Sequence, residues 1–474
     1  MFRKLSISSW KFLLAGPGIS FRTGKYLFEA ILVGVFTGFV VVAFRYMIEF
    51  GQKVLLDGLG GHQMLSTLSE GTALNVGLST EALMDPHRWI MLFLPAAGAL
   101  AGYLLIKRFA KLEHARGTDS AIKAYHQRNG YITGTVIPVK SVASVLTVAS
   151  GGSAGYEGPV TLIGAACGSF ISRKLNLTLR ARRILMAAGL AAGIGAIFQA
   201  PLAGAMFGFE IFYSSSDVEY ETLLPSFIAS TVSYTVFAYF FGWNSLFTMP
   251  DCAFENGLRL LPYFVLALVI TFGARFYISM FRAAEAGFEE SKTPGWVKVS
   301  VGGLMTGLIG FFVPDILGTS YPIIQTCFSS VNCDILSNRS TFTVLGFLCF
   351  FFMKVLSTSF TVGSGGSGGV FAPAIVCGGT LGAATGLFFA RILPESIGVN
   401  PGAFALVGMA GFLAAAVRIP MTAIVIVAEI SGNHSLLLPA MWVCGIAFWL
   451  NNGWSLYRSQ PHCRECSPVH ASDF

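Results

Sequence analysis

The chain has 474 residues, 54% of them hydrophobic and only 12% charged, with a formal net charge of +7 and a mean hydropathy of +0.67. A soluble globular protein carries about 25% charged residues, so too few charges remain here to coat a water-facing surface, which excludes ordinary soluble chemistry. Apolar character runs nearly end to end and reads as one membrane domain, in which the 54 glycines let helices approach closely where lipid gives no hydrophobic drive for association.

In chain order, residues 1–27 form a basic N-terminal segment carrying Arg3, Lys4, Lys11, Arg22 and Lys25. It lacks a short signal-peptide core with a small-residue cleavage site. Apolar spans follow near 28–48, 89–106, 134–149, 157–172, 184–199, 200–213, 223–243, 260–282, 297–313, 341–360, 369–391, 402–417, 419–430 and 435–451. The transmembrane domain therefore runs over 28–460, in halves of about 28–243 and 260–460, with a tail over 461–474. A full crossing takes about 20 residues, and several spans fall short of that. Short, glycine-punctuated spans predict helices that stop partway through the bilayer, tolerated only where they are buried in protein or line a cavity.

Basic clusters at Lys107–Arg128 and Arg173–Arg183 contrast with the acidic stretch 50–88, which carries Asp57, Glu70, Glu81 and Asp85. The positive-inside rule then puts the N-terminus and both clusters in the cytoplasm and 50–88 outside. His114 and His126 fall in the first cluster and read as solvated. Cys327 and Cys333 would pair only if their segment faces outside. Cys463 and Cys466 make a lone CxxC in the tail; zinc takes four ligands, so a solvated tail is the simpler reading and no cofactor or metal is expected.

An internal repeat organises the chain. At one constant offset, residues 140–168 overlay 354–382: Lys140 meets Lys354, Ser150-Gly151-Gly152-Ser153 meets Ser364-Gly365-Gly366-Ser367, Gly155 meets Gly369 and Pro159 meets Pro373. A slightly longer offset matches Gly189 to Gly408, Pro201 to Pro420 and Glu210 to Glu429. The pattern leaves open whether the repeat is parallel or inverted. Lys140 and Lys354 lie in apolar segments and need buried partners or snorkel. Glu210 and Glu429 end proline-started helices and read as interfacial or structural.

Both repeats carry a glycine-rich loop running into a helix that proline can start, at Gly155-Tyr156-Glu157-Gly158-Pro159 and at Gly369-Val370-Phe371-Ala372-Pro373. Such a helix start leaves backbone N–H groups unpaired and carries partial positive charge. Two of them aimed at one cavity make an anion site without a cationic side chain, weak enough to release what it binds. Glu157, at the mouth of the first, competes with an anion when ionised and admits it when protonated or swung away. The Walker-type spacing is absent, and Glu157 alone is no catalytic constellation, so the chain is not read as an enzyme.

These motifs resemble those of the CLC family of chloride channels and chloride/proton exchangers, of prokaryotic type without CBS domains. The resemblance spans about 28–460 and implies an inverted repeat of about eighteen helices, all α and polytopic, with broken helices around a midplane anion site. It implies a homodimer with one pathway per subunit in the plasma (inner) membrane. Glu157 would be the gating glutamate. Backbone around Gly158, Val370 and Phe371 would bind the anion, joined by the hydroxyls of Tyr457 and of Thr118, which stands where the family's GSGIP motif has serine. Asp119, where glycine is usual, departs from that motif, as does the fluoride-exporting branch; chloride is the first expectation and fluoride the less favoured one. Exchangers often carry an inner glutamate one residue after Glu210, and here that residue is Ile211. Gated anion transport with weak or absent proton coupling is the first expectation, and full coupling by a non-standard inner path the alternative.

Overall fold

The structure is a computed structural model and describes residues 21–61, 86–110, 117–243, 246–247, 254, 257–329, 340–394, 398–432 and 434–470. Among them are 16 α-helices and no strand. The first half contributes α1 (Phe21–Gln52), α2 (Pro86–Phe109), α3 (Thr118–Gln127), α4 (Val136–Ala149), α5 (Glu157–Lys174), α6 (Leu179–Ile197), α7 (Pro201–Glu210) and α8 (Tyr220–Phe241). The second contributes α9 (Leu260–Glu290), α10 (Gly295–Phe312), α11 (Tyr321–Ser329), α12 (Ser340–Gly363), α13 (Phe371–Ile392), α14 (Pro401–Ala416), α15 (Pro420–Ser431) and α16 (Leu437–Leu450). The hydropathy pattern found every helix except α3 and α11, each third in its half, because both are short and neither is a continuous apolar run.

Among the described residues, seven helices are long and apolar enough to cross a membrane. In six of them no more than half of the apolar window is buried, whereas the α13 window is 94% buried. The exposed ones form the shell, and α5, α6, α13 and α14 form the centre. Glycine makes that centre possible. A Cβ on Gly164 of α5 would strike the carbonyl of Gly189 on α6, and the repeat-related Gly378 and Gly408 bring α13 onto α14 in the same way. Side chains smaller than any Cβ are what let these backbones touch.

The repeat is inverted. Gly155 and Gly369 form an antiparallel bridge, with Gly155 N donating to Gly369 O at 2.8 Å and Gly369 N to Gly155 O at 2.7 Å. The same exchange recurs around it. Ser153 of the first loop bonds Thr358 on α12 at 3.1 Å, and its counterpart Ser367 bonds Ser144 on α4 at 2.9 Å. Glu210, at the end of α7, accepts from Met421 N (2.9 Å), Thr422 N (2.7 Å) and the Thr422 hydroxyl (2.5 Å) at the start of α15. Glu429, at the end of α15, accepts from Leu202 N (3.0 Å) and Ala203 N (2.7 Å) at the start of α7. Each carboxylate thus caps the other half's helix, supplying acceptors to N–H groups with no intrahelical partner.

The buried lysines are paired as well. Lys140 Nζ donates to Ser367 Oγ at 2.9 Å, and Lys354 Nζ donates to Ile316 O, Gly318 O and Ser320 Oγ at 2.8–2.9 Å.

Two expectations need correction. His126 is not solvated: it is buried within α3 and bonds Ser467 Oγ at 2.7 Å and Phe212 O at 2.9 Å. Residues 461–470 are not a free tail. Ser214 N and Ser215 N donate to Pro461 O and His462 O, both at 3.0 Å, and Cys463 and Cys466 are joined in a disulfide. His114 and Cys333 lie outside the described residues.

Removing a crossed cap leaves two helix-start N–H groups without their acceptors, a cost of roughly 1–3 kcal/mol. Glu429→Ala is expected to lower the thermal midpoint in detergent. Glu210→Ala, which loses three contacts at a more buried site, should lower it further, and equal midpoints for wild type and both variants would contradict the capping account.

Candidate functional site

The site forms where α5 and α13 start. The first intrahelical bonds are Val160 N to Tyr156 O at 3.0 Å and Ala374 N to Val370 O at 3.2 Å. The N–H groups of Glu157, Gly158, Phe371 and Ala372 therefore precede both ladders, and Pro159 and Pro373 have none to offer. A Cβ on Gly158 would lie 2.7 Å from Gly369 Cα and 3.7 Å from Thr118 Oγ1. Only glycine fits this closure, so the spacing of the two motifs is set by backbone meeting backbone.

Thr118, Gly158, Val370 and Tyr457 line one cavity of about 40 Å³, room for an ion of about water size. Thr118 opens α3 after Gly117, whose φ of 57° turns the chain into the helix. The Tyr457 hydroxyl is buried without a hydrogen-bond partner, although Thr118 is close enough to influence it. A buried orphan hydroxyl beside helix starts is chemistry suited to an anion. Phe371 contributes backbone only; its ring packs between Phe198 and Phe207, with centroids 5.6 and 5.7 Å away. Asp119 lines the same cavity, and its carboxylate accepts from Ser459 N (2.9 Å) and Ser459 Oγ (3.0 Å). The residue that departs from the family motif thus anchors the segment carrying Tyr457.

Glu157 is fully buried. Its Oε1 accepts from the Tyr321 hydroxyl. Its Oε2 makes no hydrogen bond of good geometry but sits near the N–H groups of Glu157 itself and Ala372. The carboxylate therefore lies between the two helix starts. Tyr321 is held in turn: it opens α11, directly after the loop whose carbonyls and Ser320 hydroxyl bind Lys354. Its ring meets Tyr156 edge-on at 5.9 Å, and the Tyr156 hydroxyl accepts from Arg45 at 3.2 Å. At the opposite rim Arg458 pairs with Glu285 at 2.8 Å. Sequence reasoning missed Tyr321, Arg45, Glu285 and Arg458. None lies in a motif and no sequence pattern marks them; only the structure shows Tyr321 opening α11 directly after Ser320, whose φ is 62°.

Ile211 caps the end of α7, fully buried, and its carbonyl accepts from Gln460 Nε2 at 2.8 Å.

Residues 97–452 match the family described as "Voltage gated chloride channel". The chain belongs to this CLC family. It is 30% identical over 360 residues to a putative chloride channel protein, ClcB-like, of Ralstonia nicotianae, covering 75% of this chain and 81% of the relative. It is 31% identical over 424 residues to the H(+)/Cl(-) exchange transporter ClcA of Yersinia pseudotuberculosis, covering 88% and 82%. Among solved structures it resembles a slow cyanobacterial Cl-/H+ antiporter (TM-score 0.76, 20% identity, 91% of this chain and 96% of that one). It also resembles a CLC-type fluoride/proton antiporter (TM-score 0.74, 19% identity, 93% and 98%). At those identities the structural likeness speaks for the fold. The chain is an integral, multi-pass membrane protein of a family of anion transporters.

Tyr321 donates to the Glu157 carboxyl group between the two helix starts, and a hydrogen bond to a charged group contributes roughly 1.5–3 kcal/mol. Tyr321→Phe should loosen Glu157 and let chloride compete better, lowering the chloride Kd by about tenfold in calorimetry; an unchanged Kd would show that this bond does not hold the carboxylate.

Proposed function

We propose that the chain transports chloride and similar monovalent anions, with Glu157 as the gate. The observation that carries this reading is the burial of the Glu157 carboxylate between the starts of α5 and α13, beside a cavity lined by the Thr118 and Tyr457 side chains. A negative side chain in an anion-binding position competes with the anion, so transport requires it to leave or to take a proton. Gly158, Val370 and Phe371 supply backbone N–H or adjacent helix-start backbone, and Thr118 and Tyr457 supply hydroxyl donors. No proton-carrying group stands at position 211, so coupling to protons is weaker than in relatives with a glutamate there. The exchange activity in the name of the Yersinia relative supports some coupling over pure conduction. Further parts of the reading are a homodimer, the plasma membrane and a cytoplasmic N-terminus, the last from the basic clusters. Chloride rather than fluoride is the first substrate, supported by the proline kept in Gly155-Tyr156-Glu157-Gly158-Pro159 and by the Thr118 hydroxyl.

Reconstituted flux assays test this. Partial charges on N–H groups favour weakly hydrated monovalent anions, so chloride, bromide and nitrate should outrun sulfate and phosphate; cation flux equal to chloride flux would end the proposal. Glu157→Gln keeps shape but not charge, and should abolish the dependence of transport on external pH. A wild-type pH profile in that variant would leave Glu157 as a helix-terminal residue only.

The hydroxyl donors give a separate check. Tyr457→Phe and Thr118→Val should each weaken chloride binding by roughly 1–3 kcal/mol without unfolding the protein. Calorimetry that finds wild-type affinity in Thr118→Val would remove that residue from the anion site.

A further inference from the structure

Position 211 holds no proton carrier, but the fold returns another carboxylate to the same neighbourhood. After α7 the chain doubles back, and Glu219 N donates to Phe209 O at 3.0 Å. This sets Glu219, only 2% exposed, against the helix end where Ile211 sits. Its Oε1 accepts from the Tyr213 hydroxyl and meets His470 Nε2 at 2.7 Å. Its Oε2 lies 3.9 Å from Arg464 Nη2, a side chain that is 35% exposed. Tyr125 and His126 of α3 complete the surround, the latter bonded to Ser467 Oγ and Phe212 O. Arg183 is the further cation within electrostatic reach. The other carboxylates near this cluster are Glu221, paired with Arg180, and Asp217, whose Oδ2 accepts from Arg464 N at 2.8 Å. His126, His470 and Glu219 do not converge as a metal site.

We propose that Glu219 and His470 form this transporter's inner proton-transfer site, in place of the group missing at 211. The proposal rests on the coupled-transport reading above. Anchoring the tail needs only one donor to a carboxylate; this carboxylate instead faces two tyrosines, an imidazole and a half-exposed guanidinium. Histidine is the side chain that changes charge near neutrality. A protonated His470 gives its Nε2 proton to Glu219 Oε1, leaving a neutral imidazole and a neutral carboxylic acid, and the imidazole regains a proton from the solvent side, where Arg464 emerges. The acid then releases its proton inward toward Glu157 and returns to carboxylate. A hydrogen-bonded series of polar groups runs from position 211 to the anion cavity. Gln460 Nε2 donates to Ile211 O, Ser455 Oγ donates to Gln460, and Tyr457 N donates to Ser455 Oγ at 3.2 Å, with Tyr457 in the anion cavity. The tail, through His470, is therefore part of the transport machinery.

The test is a recording of proton and chloride flux by the full chain in liposomes under a chloride gradient. In Glu219→Gln, proton flux should fall at least roughly tenfold, as for removal of a proton-transfer group, while chloride flux persists. His470→Gln should slow proton flux and change its internal-pH profile. Adding Ile211→Glu to Glu219→Gln should restore proton movement, which a merely structural role for Glu219 would not allow. A wild type that carries chloride without protons overturns both the coupling reading and this assignment. A wild type that couples, with Glu219→Gln keeping its proton-to-chloride ratio, overturns this assignment alone. Should Glu219→Gln not fold, an unchanged ratio and pH profile in His470→Gln would overturn it equally.

Discussion

Two helix starts of like partial charge point at one another here, and that constraint governs the rest of the centre. The ends of α5 and α13 repel in isolation, since each helix N-terminus carries roughly half a positive charge. They are locked together by the paired backbone bonds between Gly155 and Gly369, and the closure is tight enough that a Cβ at Gly158 would collide with Gly369. A negative charge between them relieves the repulsion. In this structure the Glu157 carboxyl group lies in that position, held by the Tyr321 hydroxyl. On the proposed reading a permeant anion would meet the same need in place of the carboxylate.

The inverted repeat makes this junction rigid by crossing its support. Glu210 and Glu429 each cap the other half's helix, and Ser153 and Ser367 each bond the other half's partner helix. The lysines break the symmetry. Lys140 anchors the Ser367 loop, whereas Lys354 organises the loop before Tyr321. Only the first half has a glutamate at its helix start, and only the second supplies the tyrosine that holds it. A symmetric scaffold thus carries an asymmetric centre, the proposed gate.

The face carrying the tail shows how a lost side chain and a gained contact coincide. Ile211 is buried against apolar neighbours, while the loop after it and residues 461–470 enclose Glu219, Tyr213 and His470. Buried polar groups need partners, and in this cluster they find them across more than 240 residues of sequence.

The sequence by itself determined the membrane class, the repeat, the two glycine loops and Glu157, because hydropathy, glycine spacing and identity at a constant offset are local patterns. It placed Thr118, Gly158, Val370 and Tyr457 in one site through resemblance to a family motif, and the fold brings them to one cavity. It could not decide the direction of the repeat, which depends on how Gly155 meets Gly369. It missed α3 and α11, whose short lengths give no hydropathy signal. It read His126 as solvated and the tail as free because a basic or polar stretch looks exposed until something packs on it. Tyr321, His470 and Glu219 gained their meaning only in three dimensions, since the partner of each lies far along the chain or across a turn that no periodicity marks. Tertiary structure decided those placements because burial and hydrogen bonding of a polar side chain are properties of its neighbours, not of its own place in the sequence.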